Sequence, residues 1–208
     1  MRILLVDDHP VVRQGIKLIV TDRWPDAAVG EADSAEAGLQ QIQQDDWDVV
    51  VLDISMAGTS GLDLLKTLHH LYPRLPILVL SMHPASQFAR RALSAGALGY
   101  LTKDSAPTAL VDAILQVRRG HTYASAATRQ ALAEASDVRA HPHDVLSDRE
   151  YQVLRMIGSG RTVSQIAASL ALSVKTVSTY RARVLDKLGM TTNVELMRYV
   201  IENGLVEL

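Results

Sequence analysis

Short, unbroken apolar runs recur through the first 120 residues, at 3–6, 49–52, 77–80 and 99–101, with a weaker one at 27–32. A strand with one wet face alternates polar and apolar residues. A run without alternation suits a strand covered on both faces, and therefore a parallel sheet. The stretches between the runs are of helical length. Val12, Ile16 and Ile19 recur at helical spacing, as do Leu62, Leu65 and Leu68, and again Leu110, Ile114 and Val117. Five such β–α units predict a doubly wound α/β domain with a five-stranded parallel sheet over residues 1–120. Gly96 and Gly120 stand where helix C-caps belong, and Arg118 and Arg119 suit the negative end of a last turn.

Strand patterns stop at Gly120. Residues 121–145 read as a linker holding one short helix at 128–135, followed by His141-Pro142-His143. Three capping-box patterns then follow in series: Ser147-Asp148-Arg149-Glu150, Thr162-Val163-Ser164-Gln165 and Thr192-Asn193-Val194-Glu195. Gly189 and Gly204 close two of the helices. Residues 146–208 are expected to form a small all-α domain of four helices.

Composition removes several classes of protein. The 208 residues are 48% hydrophobic and 21% charged, the make-up of a globular chain rather than a disordered one. There is no Cys, which rules out a disulfide framework, a thiolate metal site and a cysteine nucleophile. No apolar run approaches membrane-spanning length, and the N-terminus enters a strand pattern directly. A cytoplasmic protein without a signal peptide or a membrane partner is expected. The net charge of −2 divides unevenly. Residues 1–120 carry eleven basic and fourteen acidic side chains, and residues 147–208 carry eight and six, so an acidic domain is joined to a mildly basic one.

Doubly wound sheets bind ligands beyond the carboxyl ends of their strands. Asp7 and Asp8 end the first run, Asp53 the third and Ser81 the fourth, and Lys103 follows the fifth. Singly, each has a plain structural reading: Asp8 as an N-cap of a helix opening at Pro10, Asp53 or Ser81 as the start of a turn. Together, three carboxylates at one sheet edge repel one another unless a divalent ion neutralises them. Oxygen ligands favour Mg²⁺, which keeps positions open for phosphate oxygens and water. His9 adjoins the pair, but as the residue before Pro10 it reads as the start of the helix. Lys103 and Ser81 suit the remaining phosphoryl oxygens, so the set describes a phosphoryl-binding site with a carboxylate nucleophile inside it.

On these residues, 1–118 resemble the receiver domain of two-component response regulators. Asp7 and Asp8, Asp53, Ser81, Tyr100 within Gly99-Tyr100-Leu101-Thr102-Lys103, and Lys103 occur in order, with Ser81 28 and Lys103 50 residues beyond Asp53. The resemblance implies that Asp53 accepts a phosphoryl group from a phosphohistidine on a sensor histidine kinase. It implies Mg²⁺ held by Asp8, Asp53 and the backbone carbonyl of Ser55, with Asp7 acting through water, and Ser81 and Tyr100 as the switch pair. Ser55 and His83, two residues beyond Asp53 and Ser81, fall at positions that in this family set the lifetime of the phosphoryl group. His83 has an alternative reading as a solvated loop residue before Pro84. The family's usual Pro-Gly after Met56 is replaced by Ala57-Gly58, which removes a fixed φ from the turn. Met56 and Met82 read as packing, and residues 45–48 as a solvated turn.

In the C-terminal part, helices are predicted over Val163–Leu170 and Val174–Leu188, joined by Ala171-Leu172-Ser173. That is helix-turn-helix geometry. The second helix carries Lys175, Arg181, Arg183 and Lys187 against one acid, Asp186. Val177, Val184 and Leu188 form its expected buried stripe, with Ser178, Thr179, Ala182 and Arg183 near the opposite face. Basic side chains hold phosphates while small ones come close to base edges in a major groove. A solvated amphipathic helix packed on a neighbour is the plain alternative.

Leu146-Ser147-Asp148-Arg149-Glu150, Gly160, Ile166-Ala167 and Ser173-Val174-Lys175-Thr176-Val177 resemble the LuxR-type DNA-binding domain. With the receiver, the chain resembles a NarL/FixJ-type response regulator over nearly its whole length. The resemblance implies double-stranded DNA met in the major groove by Lys175, Thr176, Ser178, Thr179, Arg181, Ala182 and Arg183. Small residues at 178 and 182, often basic in relatives, shift the expected base contacts toward Thr179, Lys175 and Arg183. It also implies a homodimer on DNA, paired through a last helix bearing Val194, Met197, Val200 and Ile201, which alternatively serve as domain core.

The expected function is a transcriptional response regulator in which phosphorylation of Asp53, with Mg²⁺, controls sequence-specific DNA binding; it is not expected to be a turnover enzyme. One competing reading is a helix-turn-helix regulator whose receiver acts independently of phosphorylation. A second, an Mg²⁺-dependent phosphatase of the haloacid-dehalogenase type, needs another acid two residues after its nucleophile, where Ser55 stands.

Overall fold

The apolar runs become the strands of one parallel sheet in the structure, a computed structural model that describes residues 1–56, 60–136 and 141–205. The strands are β1 (Arg2–Val6), β2 (Ala28–Ala32), β3 (Val49–Asp53), β4 (Ile77–Ser81), β5 (Gly99–Thr102) and β6 (Tyr123–Ala124), in the order β2-β1-β3-β4-β5-β6. Between them run α1 (Pro10–Arg23), α2 (Ala35–Gln44), α3 (Gly61–Leu71), α4 (Ala85–Ser94) and α5 (Ala106–Arg118). Ile3, Leu5, Val49, Val51, Leu78, Leu80 and Leu101 pack with Ile16 and Val20 of α1 and with Leu110, Ile114 and Val117 of α5. Each such buried side chain contributes about 1.5–3 kcal/mol. Val6, between Leu5 and Asp7, lies against Gly38 of α2, where an added Cβ would stand only 3.0 Å away.

The sheet has one strand more than the five expected. Tyr123 and Ala124 pair with Gly99 and Tyr100, and a two-residue strand is too short to show a period in the sequence. Next comes α6 (Ala126–Ser136), opened by Ser125, whose Oγ accepts the Thr128 N–H at 3.1 Å. It packs on α4. The first half of the stretch expected as linker therefore adheres to the α/β unit, Met1–Asp137.

The second unit, Val138–Leu208, contains α7 (Asp148–Gly158), α8 (Val163–Leu170), α9 (Val174–Leu188) and α10 (Asn193–Glu202). All three capping boxes form: Ser147 with Glu150, Thr162 with Gln165, Thr192 with Glu195. Each satisfies N–H groups that a helix start leaves unpaired. The turn between α8 and α9 places Ala171 in the left-handed region at φ 52°, a conformation disfavoured for a residue with a Cβ. In α9 the buried stripe is Val177, Val184 and Leu185, whereas Leu188, expected there, is half-buried. Among the described residues no helix is long and apolar enough to cross a membrane.

Candidate functional site

The register of the sheet assembles the acidic cluster. Val6 pairs with Leu52, so the next residues, Asp7 and Asp53, leave neighbouring strands together. Between β1 and β3 the strand order reverses, the place where such sheets bind ligands. The Lys103 ammonium stands 2.7 Å from Asp53 Oδ2 and 2.7 Å from Asp7 Oδ2. Asp53 Oδ1 accepts the Ser55 N–H at 2.7 Å. Ligand atoms of Asp7, Asp8, His9 and Asp53 all lie within 4.8 Å of one another. Asp7, Asp53 and Lys103 are buried, while Asp8 is partly exposed.

The cluster thus sets one ammonium among three carboxylates, and that ammonium pairs with two of them, Asp7 and Asp53. Burial pushes the Asp53 carboxyl above its ordinary pKa, and Asp7 adds to this while Lys103 opposes it. Burial alone would lower Lys103, but the carboxylates of Asp53 and Asp7 outweigh it and hold the ammonium above its usual value. The cluster's negative charge and its oxygen donors fit a hard divalent cation. The Ser55 hydroxyl is buried and has no hydrogen-bond partner among the described residues, another polar atom left to be satisfied there.

At the neighbouring strand ends, Ser81 pairs with Thr102, and Ser81 Oγ accepts the His83 N–H at 3.1 Å. The fully buried Tyr100 donates its hydroxyl hydrogen to the His83 carbonyl at 2.7 Å. The His83 ring stacks on Phe88 of α4, with centroids 4.8 Å apart, so the residue is half-buried and partly packed. Met56 is buried as expected, but Met82 is 59% exposed. The Asp45–Asp48 turn is exposed at Asp45 and Asp46 and is held to the start of β1: Arg2 pairs with Asp45 at 2.7 Å and donates its N–H to Asp48. Ala57-Gly58 lies outside the described residues. Sequence reasoning missed Phe88, and it missed the second role of His9. His9 does cap α1, yet its ring also meets the acidic cluster.

In the second unit, Lys175, Ser178, Thr179, Ala182 and Arg183 are exposed along α9, and Thr176 is half-buried beside its cap Ser173. Thr179 Oγ1 donates to the Lys175 carbonyl at 3.0 Å. Two of the basic residues are already committed. Arg181 is hydrogen-bonded to Asn193 at the start of α10, and Lys187 pairs with the buried Glu150 at 2.6 Å. On α10, Val194, Met197 and Ile201 are 75%, 36% and 46% exposed. Val200, grouped with them from the sequence, is instead fully buried against Gly158 of α7, where a Cβ would stand 2.3 Å from it.

A parallel sheet with an acidic pocket at its switch point, followed by a helix-turn-helix unit, defines a receiver joined to a nucleic-acid-binding output domain. Residues 3–115 match the family described as response regulator receiver domain, and residues 144–200 match bacterial regulatory proteins of the luxR family. The chain belongs to the response regulators, of the NarL/FixJ type. It is 37% identical to the response regulator GacA of Pseudomonas viridiflava over 210 residues, covering 100% of this chain and 98% of that protein. It is 36% identical to the response regulator UvrY of Escherichia coli K12, covering 99% and 95%. Among solved structures it is similar to RcsB of Salmonella enterica serovar Typhimurium bound to the promoter rprA in the presence of the phosphomimetic BeF3⁻, with a TM-score of 0.65, 28% identity, and 96% and 97% of the chains covered. A structure of two RcsB dimers bound to two parallel DNAs gives a TM-score of 0.62 at 29% identity and the same coverage.

Proposed function

We propose that this chain is a cytoplasmic transcription factor whose binding to double-stranded DNA is set by phosphorylation of Asp53. The observation that carries the proposal is the geometry around that carboxylate, with one oxygen on the Lys103 ammonium and the other on the Ser55 N–H. Those donors fix the carboxylate and leave the phosphoryl oxygens a cation and a hydroxyl, Lys103 and Ser81, to meet. One oxygen of Asp53 attacks the phosphorus of a phosphohistidine on a sensor histidine kinase; the P–N bond breaks as the P–O bond forms, and the imidazole leaves. Asp8, Asp53 and the Ser55 carbonyl, with Asp7 acting through water, would hold Mg²⁺, which when bound would neutralise phosphoryl charge. Ser55 and His83, two residues beyond Asp53 and Ser81, are proposed to restrict hydrolytic water. The chain acts as a phosphoacceptor rather than as a turnover enzyme.

The output is binding in the major groove through α9. Lys175 and Arg183 supply phosphate contacts, Thr179, Ser178 and Ala182 approach base edges, and Thr176 sits at the helix start. Arg181 contributes only by releasing Asn193. A homodimer on two half-sites, paired through α10, accords with the RcsB dimers on DNA. DNA binding by the wild type and Asp53→Asn, with and without a small phosphodonor and Mg²⁺, tests this at two salt concentrations. Only the wild type is expected to tighten on phosphodonor addition. Equal binding by both proteins under all conditions would favour a receiver that acts without phosphorylation.

A further inference from the structure

His9 is an unusual helix start. Pro10 forbids it the helical region, and it sits at φ −95°, ψ 106° with its N–H on Asp7 Oδ1 at 2.8 Å. An N-cap residue ordinarily spends its side chain on the first-turn N–H groups. The His9 ring makes no such bond. Its Nδ1 lies instead 2.8 Å from Asp8 Oδ1, 3.0 Å from Asp7 Oδ1 and 3.9 Å from Asp53 Oδ2, with the ring 57% exposed.

Those separations have a chemical meaning. Adjacent ligands of a six-coordinate ion with bonds of about 2.1 Å stand about 3 Å apart and opposite ones about 4 Å, so Nδ1 stands at ligand spacing from Asp8 and Asp53, the two carboxylates read as direct ligands. A neutral imidazole presents a lone pair that Mg²⁺ takes poorly and first-row transition ions take well.

We propose that His9 Nδ1 is a nitrogen ligand of the acidic site, and that it makes the site select Mn²⁺ over Mg²⁺ beyond what carboxylates alone achieve. This rests on the reading of the acidic site as a divalent-cation site. The competing role for the ring is a hydrogen bond to the carboxylates alone. In that case His9 competes with the cation, and removing it tightens every metal.

The test uses the full chain without phosphodonor. Mn²⁺ binding is followed by the EPR signal of free Mn²⁺, Mg²⁺ binding by competition, and bound Mn²⁺ by electron spin-echo modulation, which detects an imidazole nitrogen directly. His9→Asn keeps a good N-cap, and His9→Ala removes every donor. The wild type is expected to show nitrogen modulation that both variants lose. Mn²⁺ affinity is expected to fall about tenfold or more, the scale of losing one ligand's support, while Mg²⁺ affinity moves less than about threefold. Three results overturn the proposal: bound Mn²⁺ without nitrogen modulation, tighter binding of both ions in the variants, or equal weakening of both. If the wild type binds neither ion, the cation-site reading fails as well, so the two failures are distinguishable.

Discussion

The Tyr100 hydroxyl and the His83 backbone carbonyl are joined by a hydrogen bond of 2.7 Å. Because the His83 N–H in turn donates to Ser81 Oγ, the peptide units around His83 connect the hydroxyl at the acidic site to the buried aromatic of β5. The His83 ring carries the connection into α4 through Phe88, and α4 carries α6. If phosphorylation draws the Ser81 hydroxyl toward a phosphoryl oxygen, the His83 N–H loses its acceptor and this chain of contacts is disturbed. Tyr100→Phe removes one bond, worth about 0.5–1.5 kcal/mol, and so is expected to cut the phosphodonor-driven gain in DNA affinity about 2- to 10-fold. Phosphoryl uptake by Asp53 should be nearly unchanged. Gel measurement of phosphorylated protein alongside DNA titration checks both; an undiminished gain in affinity means the bond is not in the path of the signal.

The acidic site is held at a cost to stability. With three carboxylates and one ammonium, Asp53→Asn removes a buried charge that burial already disfavours. The folded Asp53 binds its proton more tightly than the unfolded chain, so stability falls as pH rises from its unfolded value of 3.8 through its raised folded value. The Lys103 contribution is complete below about pH 10.5 and is lost only as pH rises through its raised folded value. At pH 7 the Asn variant is therefore expected to be about 0.5–2 kcal/mol more stable, an advantage that shrinks toward pH 4. Mg²⁺ at a hundredfold its dissociation constant should stabilise the wild type by about 2.7 kcal/mol. Urea unfolding at several pH values, with and without Mg²⁺, reads these differences; a less stable Asn variant contradicts the electrostatic account.

The sheet and the acidic residues were legible because both follow from local facts. Strands buried on two faces cannot alternate, and carboxylates, a hydroxyl and a lysine at successive strand ends have few structural explanations in common. The three capping boxes were legible because each is closed within four residues. Other features depend on partners distant in sequence. A two-residue strand such as Tyr123–Ala124 exists only because β5 offers it an edge. Whether Leu185 or Leu188 lies inside is decided by the helices around α9, since both fall near one face of it. The residue before Pro10 had to start a helix, but nothing in the sequence said that its ring would turn toward Asp7 and Asp8.

Glu195 gives the second unit a pH dependence of its own. Its carboxylate accepts the N–H groups of Thr191 and Thr192 at 2.7 and 2.9 Å, which lowers its pKa to about 2. A carboxyl whose folded pKa is depressed stabilises above its unfolded value and loses that contribution as pH falls through its folded value. The start of α10 is thus expected to stay closed at neutral pH and to loosen between pH 4.5 and about 2. Hydrogen exchange of the Thr191 and Thr192 amides should accelerate over that window after correction for intrinsic rates. In Glu195→Gln the same amides should exchange faster at pH 6. Protection that is indifferent to the substitution removes the carboxylate from this role.

The two apolar stripes of α10 separate fold from assembly. Leu196 and Val200, four residues apart, are fully buried, while Val194, Met197 and Ile201, at spacings of three and four, face outward. Truncating Val200 leaves a cavity beside Gly158, so Val200→Ala is expected to cost about 1–3 kcal/mol of unfolding free energy. The outward residues stay 75%, 36% and 46% exposed within the unit, so each alanine substitution there should cost less stability than Val200→Ala does. If that stripe pairs two copies, the triple substitution Val194→Ala, Met197→Ala and Ile201→Ala should weaken dimer formation on a two-half-site DNA at least about tenfold, the loss of about 1.4 kcal/mol. Binding to a single half-site should persist. Chemical unfolding and sedimentation with the two DNAs measure the pair of effects independently, and a triple variant that dimerises as the wild type does would place the dimer contact elsewhere.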